Sequence, residues 1–295
     1  MGFLLFLRQE RKKKMSWNQI EIPNGETNIF CNAYITSKTA MNIIVTHTPI
    51  CSATLLQQAL DPLTRHDVNI FHFDFSATGK SGGTKFSVET TVSDMNRVID
   101  YIIKNFSDNV HLLGYTGIGG IFAQYTVHAG IDARIKSFAQ FACVIHKDLS
   151  PMEKPIWLLK IMYGIAKLFP NAKITFDVPK FTGFHSDKDN AFYEELEKIA
   201  PGSMRTKLKL MSAMIGSAIF DNSVMQKPIM CPTLVFKVLH DRYFPVEYFD
   251  QYYATLTCEK KLVEVNDAHN SYYYNPALFC EPAYEWFAAH SDTTV

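Results

Sequence analysis

The chain has 295 residues, 47% of them hydrophobic, enough for a sizeable core in one large α/β domain or two smaller ones. Lysines and arginines number 29, and so do aspartates and glutamates, so no net field draws the protein to nucleic acid or to an anionic membrane. Six cysteines stand scattered without a C-x-x-C pair; in a chain this long that is the pattern of reduced thiols in a cytoplasmic protein, not of a disulfide framework.

The chain opens with an apolar run, Phe3–Leu7, followed by the basic cluster Arg8–Lys14. A secretory signal has the reverse order and a longer apolar stretch, and five apolar residues cannot span a bilayer. Gly2 invites N-myristoylation, but Phe6 stands where Ser or Thr is expected. Residues 1–16 therefore read as a disordered or mis-started leader with Met15 as the alternative start, set against a membrane-surface tether.

From there the elements alternate. Gln19–Ile22, a turn at Pro23-Asn24-Gly25 and Ile29–Ile35 predict a hairpin, because Asn-Gly between alternating apolar residues is a strong turn signal. Asn42–Thr46 is a continuous apolar run, as in a strand buried on both faces. A helical segment follows over Leu55–Leu63, a strand over Val68–Phe73, the loop DFSATGKSGG from Asp74 to Gly83, and a helix over Val88–Phe106. The stretch VHLLGYTGIGG then gives a strand, Val110–Leu113, a glycine-rich bend and a helix over Ile121–His128, with a further strand over Ile135–Cys143. Residues 146–225 break the alternation: they read as helical, rich in Met and aromatics and interrupted by Pro151, Pro155, Pro170, Pro179 and Pro201. Strands over Thr233–Val238 and Lys261–Val265 and helices over Val246–Leu256 and Pro276–Ala289 close the chain. The expected fold class is α/β, a mostly parallel sheet with helices on both faces, split into residues 17–145 and 226–295 by a helical cap over 146–225.

Ligands of such sheets bind beyond the carboxyl ends of the strands, so the loops there carry the chemistry. They are His47-Thr48-Pro49, DFSATGKSGG, GYTGIGG, then LHDRYFP with Asp241, and NDAHN with His269. Singly, an Asp at a strand end caps a turn or a helix, and a lone His is a satisfied core or surface residue. The two stand after consecutive late strands, and in order along the chain the loops give a bend, an acid and a histidine; a carboxylate bonded to one imidazole nitrogen fixes the tautomer and leaves the other free to act as base.

Over roughly Ile29 to Ala289 these loops resemble those of the capped lipase, esterase and lysophospholipase-like α/β-hydrolases. DFSATGKSGG resembles that family's D-x-R-G-x-G-x-S, DRYFP its D-x-x-V-P and NDAHN its G-x-x-H. The resemblance implies the order nucleophile, acid, histidine, with Asp241 as the acid and His269 as the base.

The bend departs from the family's G-x-S-x-G-G, and two registers fit it. In one, Gly114 leads and Thr116 is the nucleophile, but bulky Ile118 falls where a small residue is needed. In the other, Tyr115 leads and Gly119 and Gly120 supply the close approach, but Gly117 holds the nucleophile position and no hydroxyl stands there. A threonine elbow is also disfavoured by β-branching at a strained backbone position, and Thr116 as a plain polar turn residue is the competing reading. The family's His-Gly-x loop, whose x donates an N–H to the oxyanion, is here His47-Thr48-Pro49, and proline has no N–H. In that register Ile50 or Cys51 is the substitute donor; Cys51 itself reads as a buried thiol on the wrong loop for a nucleophile.

The apolar residues Trp157, Leu159, Ile161, Tyr163, Phe169, Leu208, Met211 and Met214 read either as the cap's own core or as an adaptable apolar roof over the site, with Tyr272-Tyr273-Tyr274 lining the same cavity. No metal-ligand spacing and no dinucleotide fingerprint occur, so no cofactor is expected. The leading expectation is a hydrolase of esters or thioesters of a small lipophilic or acyl substrate, using Thr116, His269 and Asp241. The alternative is a non-hydrolytic relative that binds a lipophilic ligand, or uses the His269–Asp241 pair for elimination, isomerisation or cyclisation. A non-enzymatic interaction protein is the third reading.

Overall fold

The computed structural model describes residues 16–49, 51–115, 118–141, 156–175, 187–199, 205–208, 212, 216 and 227–291. In chain order the strands are β1 (Trp17–Asn24), β2 (Thr27–Tyr34), β3 (Met41–Thr46), β4 (Val68–Phe73), β5 (Val110–Gly114), β6 (Ser137–Gln140), β7 (Lys173–Thr175), β8 (Arg205–Lys207), β9 (Thr233–His240) and β10 (Lys260–Ala268). The helices are α1 (Val88–Asn105), α2 (Ile118–His128), α3 (Ile156–Leu168), α4 (Asp187–Ile199), α5 (Val246–Thr255), α6 (Ser271–Tyr274) and α7 (Ala277–Ala289).

Eight strands form one sheet in the order β1-β2-β4-β3-β5-β6-β9-β10. β1 and β2 are antiparallel to their neighbours and all other pairings are parallel. Every residue of β3, β4, β5 and β6 is buried, the polar Asn42, Asn69, His72, His111, Ser137 and Gln140 included, as in a sheet covered on both faces. α1 begins at a capping box between Ser87 and Thr90 and buries Val88, Thr91, Met95, Val98, Ile99 and Ile102, one helical stripe.

Several local expectations shift. The hairpin loop is Gly25–Glu26, since Asn24 pairs with Thr27. Pro23 and Asn24 belong to the strand, and Gly25 alone takes a positive φ, +65°, as the first centre of a II′ turn does. The segment expected to be helical after β3 is a 3₁₀ helix over Gln57–Arg65, with Pro62 inside it. Between β6 and β9 the region expected to be helical also carries a ribbon, β7 paired antiparallel with β8. Three-residue strands are too short to leave a period in sequence.

Because β3, β4, β5, β6, β9 and β10 run parallel, the loops after β3, β4, β5, β9 and β10 meet at one edge of the sheet. Among the described residues no helix is long and apolar enough to cross a membrane, and Cys31, Cys51, Cys231, Cys258 and Cys280 are free thiols. Cys143 and residues 1–15 lie outside the described residues.

Candidate active site

Asp241 directly follows β9, and His269 directly follows β10, its parallel neighbour. The topology therefore sets the two residues side by side although 28 positions separate them. Asp241 Oδ2 lies 2.7 Å from His269 Nδ1, with both side chains buried. Asp241 Oδ1 accepts the backbone N–H groups of Tyr243 and Phe244 at 2.7 and 3.0 Å, so the turn that begins DRYFP clamps its own carboxylate. A carboxylate only accepts, so Nδ1 carries the proton and Nε2 holds the lone pair, the tautomer a general base needs.

The rings of Tyr243 and Phe244 pack on the imidazole at centroid distances of 4.5 and 5.9 Å. Burial pushes the His269 pKa down, but the Asp241 charge and hydrogen bond, with a further contribution from Asp189, outweigh it, and the net shift is upward.

Asp189, in the first turn of α4, is fully buried and accepts the backbone N–H of Asn270 through Oδ1 at 2.9 Å. Sequence reasoning missed it, because an acidic residue in a first helical turn ordinarily only offsets the helix dipole. Tyr272, Tyr273 and Tyr274 lie in α6 and pack against Phe192 of α4, with ring centroids 5.9, 4.9 and 6.3 Å away. The tyrosine run thus joins α4 to the histidine loop.

Around the bend, Tyr115 donates its backbone N–H to Thr46 O at 3.2 Å. Its side chain lies in the core, fully buried, with the hydroxyl donating to Ala59 O and Tyr272 O at 3.0 and 3.1 Å. Thr116 and Gly117 lie outside the described residues. The residues on either side leave little room: a Cβ at Gly119 would sit 2.3 Å from the His47 carbonyl carbon, and one at Gly120 would sit 2.9 Å from Phe141 O. A Cβ at Gly114 would sit 2.8 Å from that of Ala123. The start of α2 is therefore pressed against both β5 and the loop after β3.

In that loop Pro49 is buried, and the Cys51 N–H donates to Thr48 O at 3.0 Å, closing a turn. The Cys51 amide is thus engaged within its own loop, and Ile50 lies outside the described residues. Burial, and after it the Asp74 charge, push the Cys51 thiol up to about 12, which leaves it protonated and unreactive near neutrality.

His47 Nε2 lies 3.2 Å from Asp74 Oδ1, and its ring meets that of His72 edge-on at 4.7 Å. Asp74 accepts the N–H groups of Ala53 and Lys80, both at 2.7 Å, and its loop closes through Ser81 Oγ donating to Asp74 O at 2.5 Å. DFSATGKSGG is thus a self-bonded buttress beneath the β3 loop. Of the residues read as an apolar roof, Leu159 is buried, whereas Trp157, Ile161 and Phe169 are exposed; Met211 and Met214 lie outside the described residues. Among the described residues no group of His, Cys, Asp and Glu has the geometry to hold a metal ion.

No family model and no curated relative matches the sequence. Solved structures do match. DcsB in complex with a substrate analogue superimposes with a TM-score of 0.72 at 15% identity, over 94% of this chain and 99% of that one. A thioesterase domain from the curacin biosynthetic pathway gives 0.65 at 14%, over 90% and 99%. Monoacylglycerol lipase from Paleococcus ferrophilus gives 0.67 at 16%, over 94% and 100%. An eight-stranded, mostly parallel sheet covered by helices and matched along almost its whole length by such proteins is the α/β-hydrolase fold, and this chain has it.

Proposed function

We propose that the chain hydrolyses an ester or thioester of an apolar acyl substrate, with His269 as general base, Asp241 as the carboxylate that orients it and Thr116 as the attacking hydroxyl. One observation carries this reading: the buried 2.7 Å contact between Asp241 Oδ2 and His269 Nδ1, at the ends of adjacent parallel strands. The aromatic faces of Tyr243 and Phe244 against the imidazole favour an apolar substrate over a sugar or a phosphate. Thioesterase and lipase activities among the proteins of like fold lend support of the same kind.

In this reading Nε2 takes the Thr116 hydroxyl proton as Oγ attacks the acyl carbon. The imidazolium, held by Asp241, then returns that proton to the leaving alcohol or thiol, and the acyl group stays on Oγ. Water, deprotonated by the same nitrogen, displaces it as the free acid, and Oγ recovers its proton.

A second reading is favoured by Gly119 and Gly120, whose lack of room for a Cβ fits the register with Gly117 at the nucleophile position. The His269–Asp241 pair then abstracts a proton from the substrate itself, for elimination, isomerisation or cyclisation, or the site only binds its ligand. A panel of acyl p-nitrophenyl esters and acyl thioesters, run on the parent and on His269→Ala, separates the readings. Hydrolysis by the parent that falls by about 10³-fold or more in the variant supports the hydrolase. Equal, near-background rates for both across the panel remove it.

A further inference from the structure

α4 lies between β6 and β9 in the chain, far from either strand that carries the pair, yet it brings a carboxylate into the same buried cluster. Asp189 is fully buried, whereas its neighbour Asp187, in the same first turn, is exposed. A solvated first-turn acid needs no burial to offset a helix dipole, and burying a carboxylate is costly unless its oxygens are hydrogen-bonded. One of those bonds comes from the backbone N–H of Asn270, the residue after His269, 81 positions from Asp189 in the chain. The aromatic contacts run the same way: Phe192, one turn beyond Asp189, packs on Tyr272 and Tyr273 of the helix that follows the histidine.

Among the described residues, the groups shown to act on His269 are the carboxylate of Asp241, the rings of Tyr243 and Phe244, and the charge of Asp189. Burial, and after it the Asp189 charge, push the hydroxyls of Tyr243 and Tyr274 up, so both stay protonated. Among the described residues Asp241, bonded to the imidazole, and Asp189, bonded to the next residue's N–H, are the negative charges that act on His269, and they come from different parts of the fold.

We propose that Asp189 is a positioning residue for His269: it holds the loop that carries the imidazole and adds a second negative charge near it, so the base is fully assembled only while α4 is seated against the histidine loop and α6. The proposal rests on the reading of Asp241 and His269 as the catalytic pair. It makes the inserted region part of the catalytic machinery and not merely a cover.

Histidine ring resonances followed by NMR across a pH titration test this, with His269 assigned by its loss in His269→Gln. In Asp189→Asn, which keeps an acceptor for Asn270 N–H but removes the charge, the His269 midpoint is expected to fall by about half a pH unit or more. In Asp241→Asn it is expected to fall further. An unchanged midpoint in Asp189→Asn beside a lowered one in Asp241→Asn overturns the Asp189 proposal and leaves the pair standing; no change in either overturns the pair. Amide hydrogen exchange on the unaltered protein gives the second measurement. The Asn270 amide is expected to exchange with the same protection as the amides of α4. Exchange of Asn270 at the rate of an open loop while α4 stays protected contradicts the proposal.

Discussion

Gly119, in the first turn of α2, lies directly against the backbone of His47, so close that a Cβ on it would stand 2.3 Å from the His47 carbonyl carbon and 2.5 Å from its Cα. Backbone cannot swing aside as a side-chain tip can. Gly119→Ala is therefore expected to destabilise the fold by about 2–4 kcal/mol, as overpacking against fixed atoms does, and to displace the loop after β3. Denaturant unfolding measures it. A loss below about 0.5 kcal/mol would show that the helix and loop are not in contact.

Ala77 takes a φ of +62°, unlike any other described non-glycine residue, inside the buttress loop after β4. An L side chain in this left-handed region costs about 1–2 kcal/mol, and glycine escapes that cost while losing some entropy. Ala77→Gly is expected to leave stability unchanged or raise it by up to about 1 kcal/mol, against the usual penalty for introducing a glycine. A thermal melt that falls by several degrees would contradict the assigned backbone.

The upward shift of His269 sets a pH dependence. A base whose folded pKa lies above its usual value works in its neutral form only above that raised midpoint, so the acid limb of kcat/KM is expected above pH 6.5. The stability contribution runs the other way. A group with a raised folded pKa stabilises fully below its unfolded pKa, and that stabilisation is lost as pH rises through the folded value. His269→Gln should therefore lose more stability, relative to the parent, at pH 5.5 than at pH 8.5. Chemical denaturation at the two pH values decides it, and the opposite order would mean that the imidazole is buried neutral.

The nucleophile is settled by labelling. If Thr116 attacks, the parent takes a fluorophosphonate on Thr116 and Thr116→Ala takes none. If Gly117 holds the nucleophile position, the parent stays unlabelled and Gly117→Ser becomes labelled in a manner that depends on His269. Intact mass and peptide mapping read both outcomes.

Much of this was legible in the sequence, for reasons that particular residues make plain. Buried parallel strands such as NIIVT and VNIFHF are largely apolar, with the few polar residues, Asn42, Asn69 and His72 among them, buried too, and that marks the strands and so their ends. Asp241 and His269 then stand out because each is the first residue after a strand. Asp189 was not legible: its partner Asn270 is 81 positions away, and only the seating of α4 joins them. Tyr115 stands at the bend, and its hydroxyl reaches Ala59 and Tyr272 in the core, contacts with no local pattern. The turn at Gly25–Glu26 lay one residue beyond the Asn-Gly signal because strand pairing continues through Asn24.

Asp241 and His269 are held to act as one unit, and a double-mutant cycle on kcat/KM tests that most directly. Asp241→Asn alone is expected to cost on the order of 10³–10⁴, His269→Ala at least as much, and the double variant no more than His269→Ala by itself. Losses that multiply in the double variant would mean that the two residues work independently, and the pairing would not be the basis of catalysis.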